Sequence, residues 1–220
     1  MTPSATTQPG LRERKKQRTR ELIADTARKL FAERGFEEVT VAEIARAADV
    51  AATTVFNYFP AKEDLVYWRL ESFEAALLDA IREREPGESA LAAFSRFVLE
   101  QRGLLAERDP EAREQLAAVT RMIASSPALR AREQQVYARY TASLAALLAE
   151  EAGGTIEPWV AANAMMGVHR ALVDYTRERV VAGERSPRLA RDVRAQGERA
   201  VALLESGLGG YAVGAREGGA

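Results

Sequence analysis

Apolar residues recur three and four positions apart through almost the whole chain, and no β-branched run alternates long enough to make a useful strand. The spacing therefore predicts helices throughout. The first runs from about Arg14 to Arg34, with Leu22, Ile23, Ala27, Leu30 and Phe31 turned inward and Gly35 ending it just past the C-cap. Thr40 opens the second. It precedes Glu43 by three residues, the spacing at which each side chain can satisfy an orphan N–H of the other. Ile44, Ala45 and Ala48 face inward, and Asp49 and Val50 make the turn. A third helix covers Ala52 to Tyr58 and stops at Pro60. A fourth extends from about Ala61 to Arg84, with Leu65, Trp68, Phe73, Leu77 and Ile81 along one face.

Pro86-Gly87 is the clearest break in the chain. Five more helical segments follow, at about 88–106, 111–124, 128–152, 157–182 and 187–207. Asp109-Pro110, Ser126-Pro127, Gly153-Gly154 with Pro158, and Gly183 through Pro187 separate them. About nine helices with short connections imply an all-α fold. The expected organisation is a disordered leader at 1–10, a three-helix helix-turn-helix domain at 11–62, a larger helical bundle at 63–208 and a flexible tail at 209–220, six glycines falling within Gly207–Ala220.

Composition narrows the partners. The net charge of −1 conceals an asymmetry, because residues 1–60 carry 10 Lys and Arg against 8 Asp and Glu, and the remainder 21 against 24. The excess lies in Leu11–Arg20, where Arg12, Arg14, Lys15, Lys16, Arg18 and Arg20 face a single Glu13. Such a cluster suits a polyphosphate partner, or a solvated helix end. With no cysteine there is neither a disulfide framework nor a thiolate metal site. No apolar run reaches 18 residues, so a soluble, cytoplasmic protein without membrane association is expected. His169 is the only histidine, and no metal site, cofactor or catalytic centre is expected: paired catalytic groups, a phosphate loop after a strand and a nucleophile elbow are all missing.

The segment from Thr40 to Leu65 carries the chemistry. In a helix-turn-helix the first helix braces across the DNA backbone and the second enters the major groove, which is about 12 Å wide. Small or apolar residues must sit where the helices cross, and Ile44, Ala45, Ala48, Val50 and Val55 fill those places. The outward face would be drawn from Ala52, Thr53, Thr54, Phe56, Asn57 and Tyr58.

Residues 15–65 resemble the N-terminal domain of the TetR/AcrR family of transcriptional regulators. The matching text is Leu30-Phe31 with Gly35-Phe36, then Thr40-Val41, Ile44-Ala45 and Ala48, then Val50, Thr54-Val55-Phe56, Tyr58-Phe59-Pro60 and Lys62-Glu63-Asp64-Leu65. The resemblance implies that Thr40 and Val41 bring the start of helix two to a phosphate, where the helix dipole favours an anion. It implies that Ala52 and Thr53 reach base edges, that Thr54, Tyr58 and Lys62 meet phosphates, and that Phe56 touches a thymine methyl or packs. Asn57 pairs with adenine if it faces the groove, and the Lys15–Arg20 arm adds phosphate or minor-groove contacts. Two positions depart from the family: Asp49 stands where Gly is usual and Ala51 where Ser is usual.

The resemblance further implies a homodimer, formed through 157–182 and 187–207. Ala161, Ala164, Gly167, Val168 and Ala171 would allow close helix approach, with Met165, Met166 and Trp159 among them. It implies an unidentified small-molecule effector in the C-terminal bundle, with Phe94, Phe97, Met122, Tyr137, Tyr140, Asn163, Met166, His169 and Arg170 as candidate lining residues. The function expected is that of a ligand-responsive regulator, not an enzyme, and of a repressor released by the effector from double-stranded operator DNA. The alternatives are a helical binding or enzymatic protein in which the helix-turn-helix is incidental, and a DNA-binding activator or a regulator without a ligand.

Overall fold

The computed structural model describes residues 11–68, 70–100, 110–184 and 188–207. Among these residues there are ten helices and no strand. They are α1 (Leu11–Arg34), α2 (Val41–Ala47), α3 (Ala52–Tyr58), α4 (Asp64–Tyr67), α5 (Leu70–Arg82), α6 (Ala90–Leu99), α7 (Pro110–Ser125), α8 (Pro127–Ala152), α9 (Glu157–Val181) and α10 (Arg188–Ser206). The expected leader at 1–10 and the tail from 209 lie outside the described residues.

The chain divides into two units: Met1–Phe73 with Arg121–Gln134, and Glu74–Thr120 with Gln135–Ala220. The first therefore extends past residue 62 and takes in the corner between α7 and α8. Its core is built from Ile23, Ala27, Phe31, Phe36, Val39, Ile44, Ala45, Val55, Phe59 and Leu65. Gly35 ends α1 at φ +86, its N–H donating to the Phe31 carbonyl at 2.9 Å. The Phe31 and Phe36 rings then meet 5.1 Å apart across that bend.

Two expectations are corrected. Leu22 is not on the inward face but 52% exposed, and Ala24 takes its place beside Ile23 and Ala27. Leu22 and Ala24 lie on opposite flanks of Ile23, and hydrophobicity alone does not choose which flank turns inward. The single helix expected from Ala61 to Arg84 is instead α4 and α5, separated beyond Tyr67. Its first turn is wound with i to i−3 bonds, from Asp64, Leu65 and Val66 to Ala61, Lys62 and Glu63. Asp64 Oδ2 takes the Ala61 N–H at 3.0 Å, closing that turn just after Pro60. The apolar period runs through both pieces unchanged, so it carries no mark of the interruption.

The α7–α8 corner is fastened within the first unit by side chains. Ser126 precedes Pro127, and its hydroxyl accepts the Leu129 N–H at 3.3 Å and donates to Glu37 Oε1 at 2.6 Å. Tyr67 Oη donates to the Leu129 carbonyl at 3.0 Å.

In the second unit α10 packs on α9 and α6. Gly197 makes the close approach possible: a Cβ there would stand 2.3 Å from Leu99 Cδ2 and 3.2 Å from Leu172 Cδ1. Arg84, just past α5, donates from Nη1 to Glu151 Oε1 at 3.0 Å and from Nη2 to Oε2 at 2.5 Å. No helix of the described residues is long and apolar enough to cross a membrane.

Candidate nucleic-acid interface

The start of α2 is locked from both sides. The Thr40 hydroxyl accepts the Glu43 N–H at 3.3 Å and donates to Glu43 Oε2 at 2.8 Å, while the Thr40 N–H donates to the same oxygen at 2.9 Å. Arg34 Nη1 lies 2.8 Å from the other carboxylate oxygen. The Thr40 N–H and then the Arg34 guanidinium hold the Glu43 carboxyl down at about 2. An anion approaching Thr40 and half-buried Val41 therefore meets a fixed carboxylate whose charge Arg34 offsets.

The turn into α3 closes by two bonds, Asp49 N–H to the Arg46 carbonyl at 3.3 Å and Val50 N–H to Ala45 at 2.9 Å. This is a Schellman closure, which requires a left-handed residue past the C-cap. Asp49 supplies it at φ 54, the one non-glycine residue with positive φ among those described. Ala51 then caps α3 with no side-chain bond. Pro60 ends the helix by forcing the residue before it out of helical geometry, and Phe59 is extended at φ −137, ψ 94.

Along α3, Val55 alone is buried, at 1% exposure. Thr54 and Tyr58 are half-buried, and Ala52, Thr53, Phe56 and Asn57 are exposed, Phe56 by 50%. The helix is thus pinned on one side and open on the other. Lys62, expected at a phosphate, directs its ammonium inward: Nζ donates to the carbonyls of Phe36 at 2.8 Å and Val39 at 3.2 Å, and sits 4.1 Å from the Phe36 ring centroid. In α1, Arg12, Arg14, Lys15, Lys16 and Arg18 are exposed, whereas half-buried Arg20 lies 5.3 Å over the Phe59 ring.

The candidate effector residues are divided between the two units. Met122 belongs to the first unit and the other eight to the second. Phe94, Phe97, Tyr140 and Met166 are buried. Asn163 and Arg170 are exposed, Asn163 donating its amide to the Trp159 carbonyl at 2.7 Å. Tyr137 draws a group together, with Tyr140 edge-on at 6.4 Å, His169 at 6.0 Å and the Arg170 guanidinium 5.7 Å over its ring. Burial, aided by the charge of Arg177, holds His169 down at about 4. Burial also pushes the Tyr140 hydroxyl upward.

Sequence reasoning missed the Glu37–Ser126 bond, the Asp64–Arg132 pair and Gly197. The first two join residues 89 and 68 positions apart, and no local spacing signals such contacts. An isolated Gly inside a helical segment was the available sign for the third.

The model of the bacterial regulatory proteins of the tetR family matches residues 23–67, from the inner face of α1 to the end of α4. The HTH-type transcriptional regulator TcmR of Streptomyces glaucescens is 39% identical over 87 residues, 40% of this chain and 38% of that protein. The putative mycofactocin biosynthesis transcriptional regulator MftR of Mycobacterium tuberculosis is 32% identical over 165 residues, covering 70% of this chain and 78% of that one. Among solved structures, the fatty acid degradation regulator FadR of Bacillus halodurans aligns with a TM-score of 0.52 at 25% identity, covering 94% and 99% of the two chains. With a helix-turn-helix whose second helix is open to solvent and a relative matching over most of its length, the chain belongs to the tetR family of bacterial regulatory proteins.

Proposed function

We propose that this protein is a ligand-responsive, cytoplasmic repressor that binds operator DNA as a homodimer and leaves it when a small molecule binds. The observation that carries this reading is the two-sided character of α3, with Val55 in the core and Ala52, Thr53, Phe56 and Asn57 in solvent. A short helix held this way fits the major groove, and exposed basic residues at the start of α1 supply charge for flanking phosphates. Thr40, Val41, Thr54 and Tyr58 remain the assigned backbone contacts, while Lys62 is assigned a bracing role.

Dimerisation is assigned to α9 and α10. Ile156, Trp159, Val160, Asn163, Gly167 and Ala171 form an exposed, largely apolar and small-residue stripe at helical spacing along α9. Two copies joined there would present two α3 helices to half-sites on one face of a duplex. The effector is assigned to the second unit, around Tyr137, Tyr140 and His169. It acts by favouring a state whose α3 helices are mis-spaced for the operator, and weakens binding by its difference in affinity for the two states. The proposal gives the chain no enzymatic role.

The test is a band-shift titration with DNA from upstream of the protein's own gene, at several salt concentrations. Operator binding that steepens at low salt and is reduced at least tenfold by Asn57→Ala or Tyr58→Ala supports the reading. Equal affinity for unrelated DNA in every variant would overturn it. Deleting the gene should raise expression of a reporter placed behind the bound fragment, and lowered expression would make the protein an activator.

A further inference from the structure

The first half of α1 is a helix that its own charges oppose. Arg12 and Lys16, Arg14 and Arg18, and Lys16 and Arg20 lie four residues apart, the spacing at which like charges repel along a helix. Arg12, Arg14, Lys15, Lys16, Gln17 and Arg18 are all exposed, and Ile23 is the first fully buried residue of α1 among those described. Helices under about 12 residues are marginal in water without packing, so Leu11–Arg18 cannot rely on its backbone bonds alone.

Arg20 ends that run and behaves differently from the residues before it. It is half-buried, its Nε is closed off from solvent, and its guanidinium carbon stands 5.3 Å from the centroid of the Phe59 ring. Phe59 is 1% exposed and is the C-cap of α3, its N–H donating to the Val55 carbonyl at 2.8 Å. A planar cation on an aromatic face thus ties the basic run of α1 to the end of α3. Arg20 and Phe59 both lie in the first unit. The tie comes one turn before Ile23, where the basic run leaves the core.

We propose that Arg20 is a positioning residue for DNA binding: stacked on Phe59, it holds the basic half of α1 as a helix in fixed relation to α3, and itself touches no phosphate. This rests on the proposed function, in which α3 enters the groove and the start of α1 supplies charge to flanking phosphates. Without the stack, Arg12 to Arg18 keep their charges but lose their shared orientation. The cost of ordering them then falls on the binding step.

The test is the slope of log affinity against log salt for duplex from upstream of the protein's own gene. Each phosphate contact contributes about 0.9 to that slope. Arg20→Met deletes one charge per protomer, yet should make the slope shallower by about two or more per protomer. Phe59→Leu keeps every charge and an apolar core side chain, and should also make it shallower. Lys15→Gln with Lys16→Gln should lower the slope in the wild type and add little in the Arg20→Met background. Without DNA, trypsin should cut between Arg12 and Arg18 several-fold faster in Arg20→Met than in the wild type. A slope shallower by about one in Arg20→Met and unchanged in Phe59→Leu would make Arg20 a phosphate contact in its own right. Unchanged slopes in both variants, or equal trypsin rates, would make the stack structural only. Any of these results would overturn this inference and leave the proposed function standing. Failure of the wild type to bind the duplex in a salt-dependent way would overturn both.

Discussion

Arg132 and Asp64, 68 residues apart in sequence, share one carboxylate oxygen: Nε stands 2.7 Å and Nη2 2.5 Å from Asp64 Oδ1. The second oxygen is already engaged by the Ala61 N–H that opens the turn before α4. One side chain therefore both winds α4 and anchors the beginning of α8. Asp64→Ala should lower the melting temperature by the equivalent of about 2 kcal/mol, because it removes the acceptor of the Ala61 N–H and leaves a partly buried guanidinium behind. A double-mutant cycle with Arg132→Met, followed by urea denaturation, should return a coupling energy of about 1 kcal/mol or more. Strict additivity would show the pair to be energetically idle.

Lys62 presents a choice that salt dependence resolves. Its ammonium holds the carbonyls of Phe36 and Val39, four residues and one residue before the Thr40 cap of α2. Lys62→Met keeps the apolar stem over the Phe36 ring and removes only the charged head. The expected outcome is a loss of stability of about 1–3 kcal/mol and weaker operator binding, with an unchanged slope of log affinity against log salt. A slope shallower by about one would identify a phosphate contact instead.

The turn between α2 and α3 carries two residues that do not suit their backbone. Asp49 holds a left-handed conformation at φ 54, and Ala51 caps α3 without a side-chain acceptor. Asp49→Gly should stabilise by several tenths of a kcal/mol and up to about 1, and Ala51→Ser by about 1. Asp49→Val should destabilise by about 1–2 kcal/mol. Chemical denaturation of the three variants measures this directly.

His169 ties stability to acidity. In the fold it gains a proton only near 4, against an ordinary value of 6.5. The unfolded chain takes up that proton as the pH falls through 6.5, and the native protein does not until about 4. Stability is therefore complete above 6.5 and is lost progressively across that window, by about 3 kcal/mol in total. His169→Gln should flatten this part of the pH profile, measured as the difference between its urea midpoint and that of the wild type from pH 7 to 4. Parallel profiles would rule the group out.

What the sequence made legible follows from the range of the forces involved. Thr40 and Glu43 could be read as a capping box because the motif spans four residues, and all the bonds it requires are present. Helix ends at Gly35, Pro60 and Pro127 were readable for the same reason: each acts on its immediate neighbours. Of the six residues expected on the outward face of α3, Ala52, Thr53, Phe56 and Asn57 are exposed, while Thr54 and Tyr58 are half-buried beside Val55, because a seven-residue helix cannot turn six positions to solvent. Leu22 is exposed because the buried stripe turns from Ile23 toward Ala24, on the opposite flank, and apolar spacing does not choose between the flanks. The interruption after Tyr67 was invisible because no Gly or Pro lies in 61–84. The resemblance places Lys62 at a phosphate, and nothing local marks its carbonyl partners, which lie 26 and 23 residues upstream. The effector residues were hardest to read, since apolar spacing does not separate a core from a cavity wall.

The membership of Arg121–Gln134 in the first unit bears on how such regulators can be recombined. A domain swap that cuts the chain once, within α5, would carry away Ser126, Leu129 and Arg132 and leave Glu37, Tyr67 and Asp64 without them. A working chimera must graft the reading head in two pieces, the amino-terminal stretch together with its own α7–α8 corner.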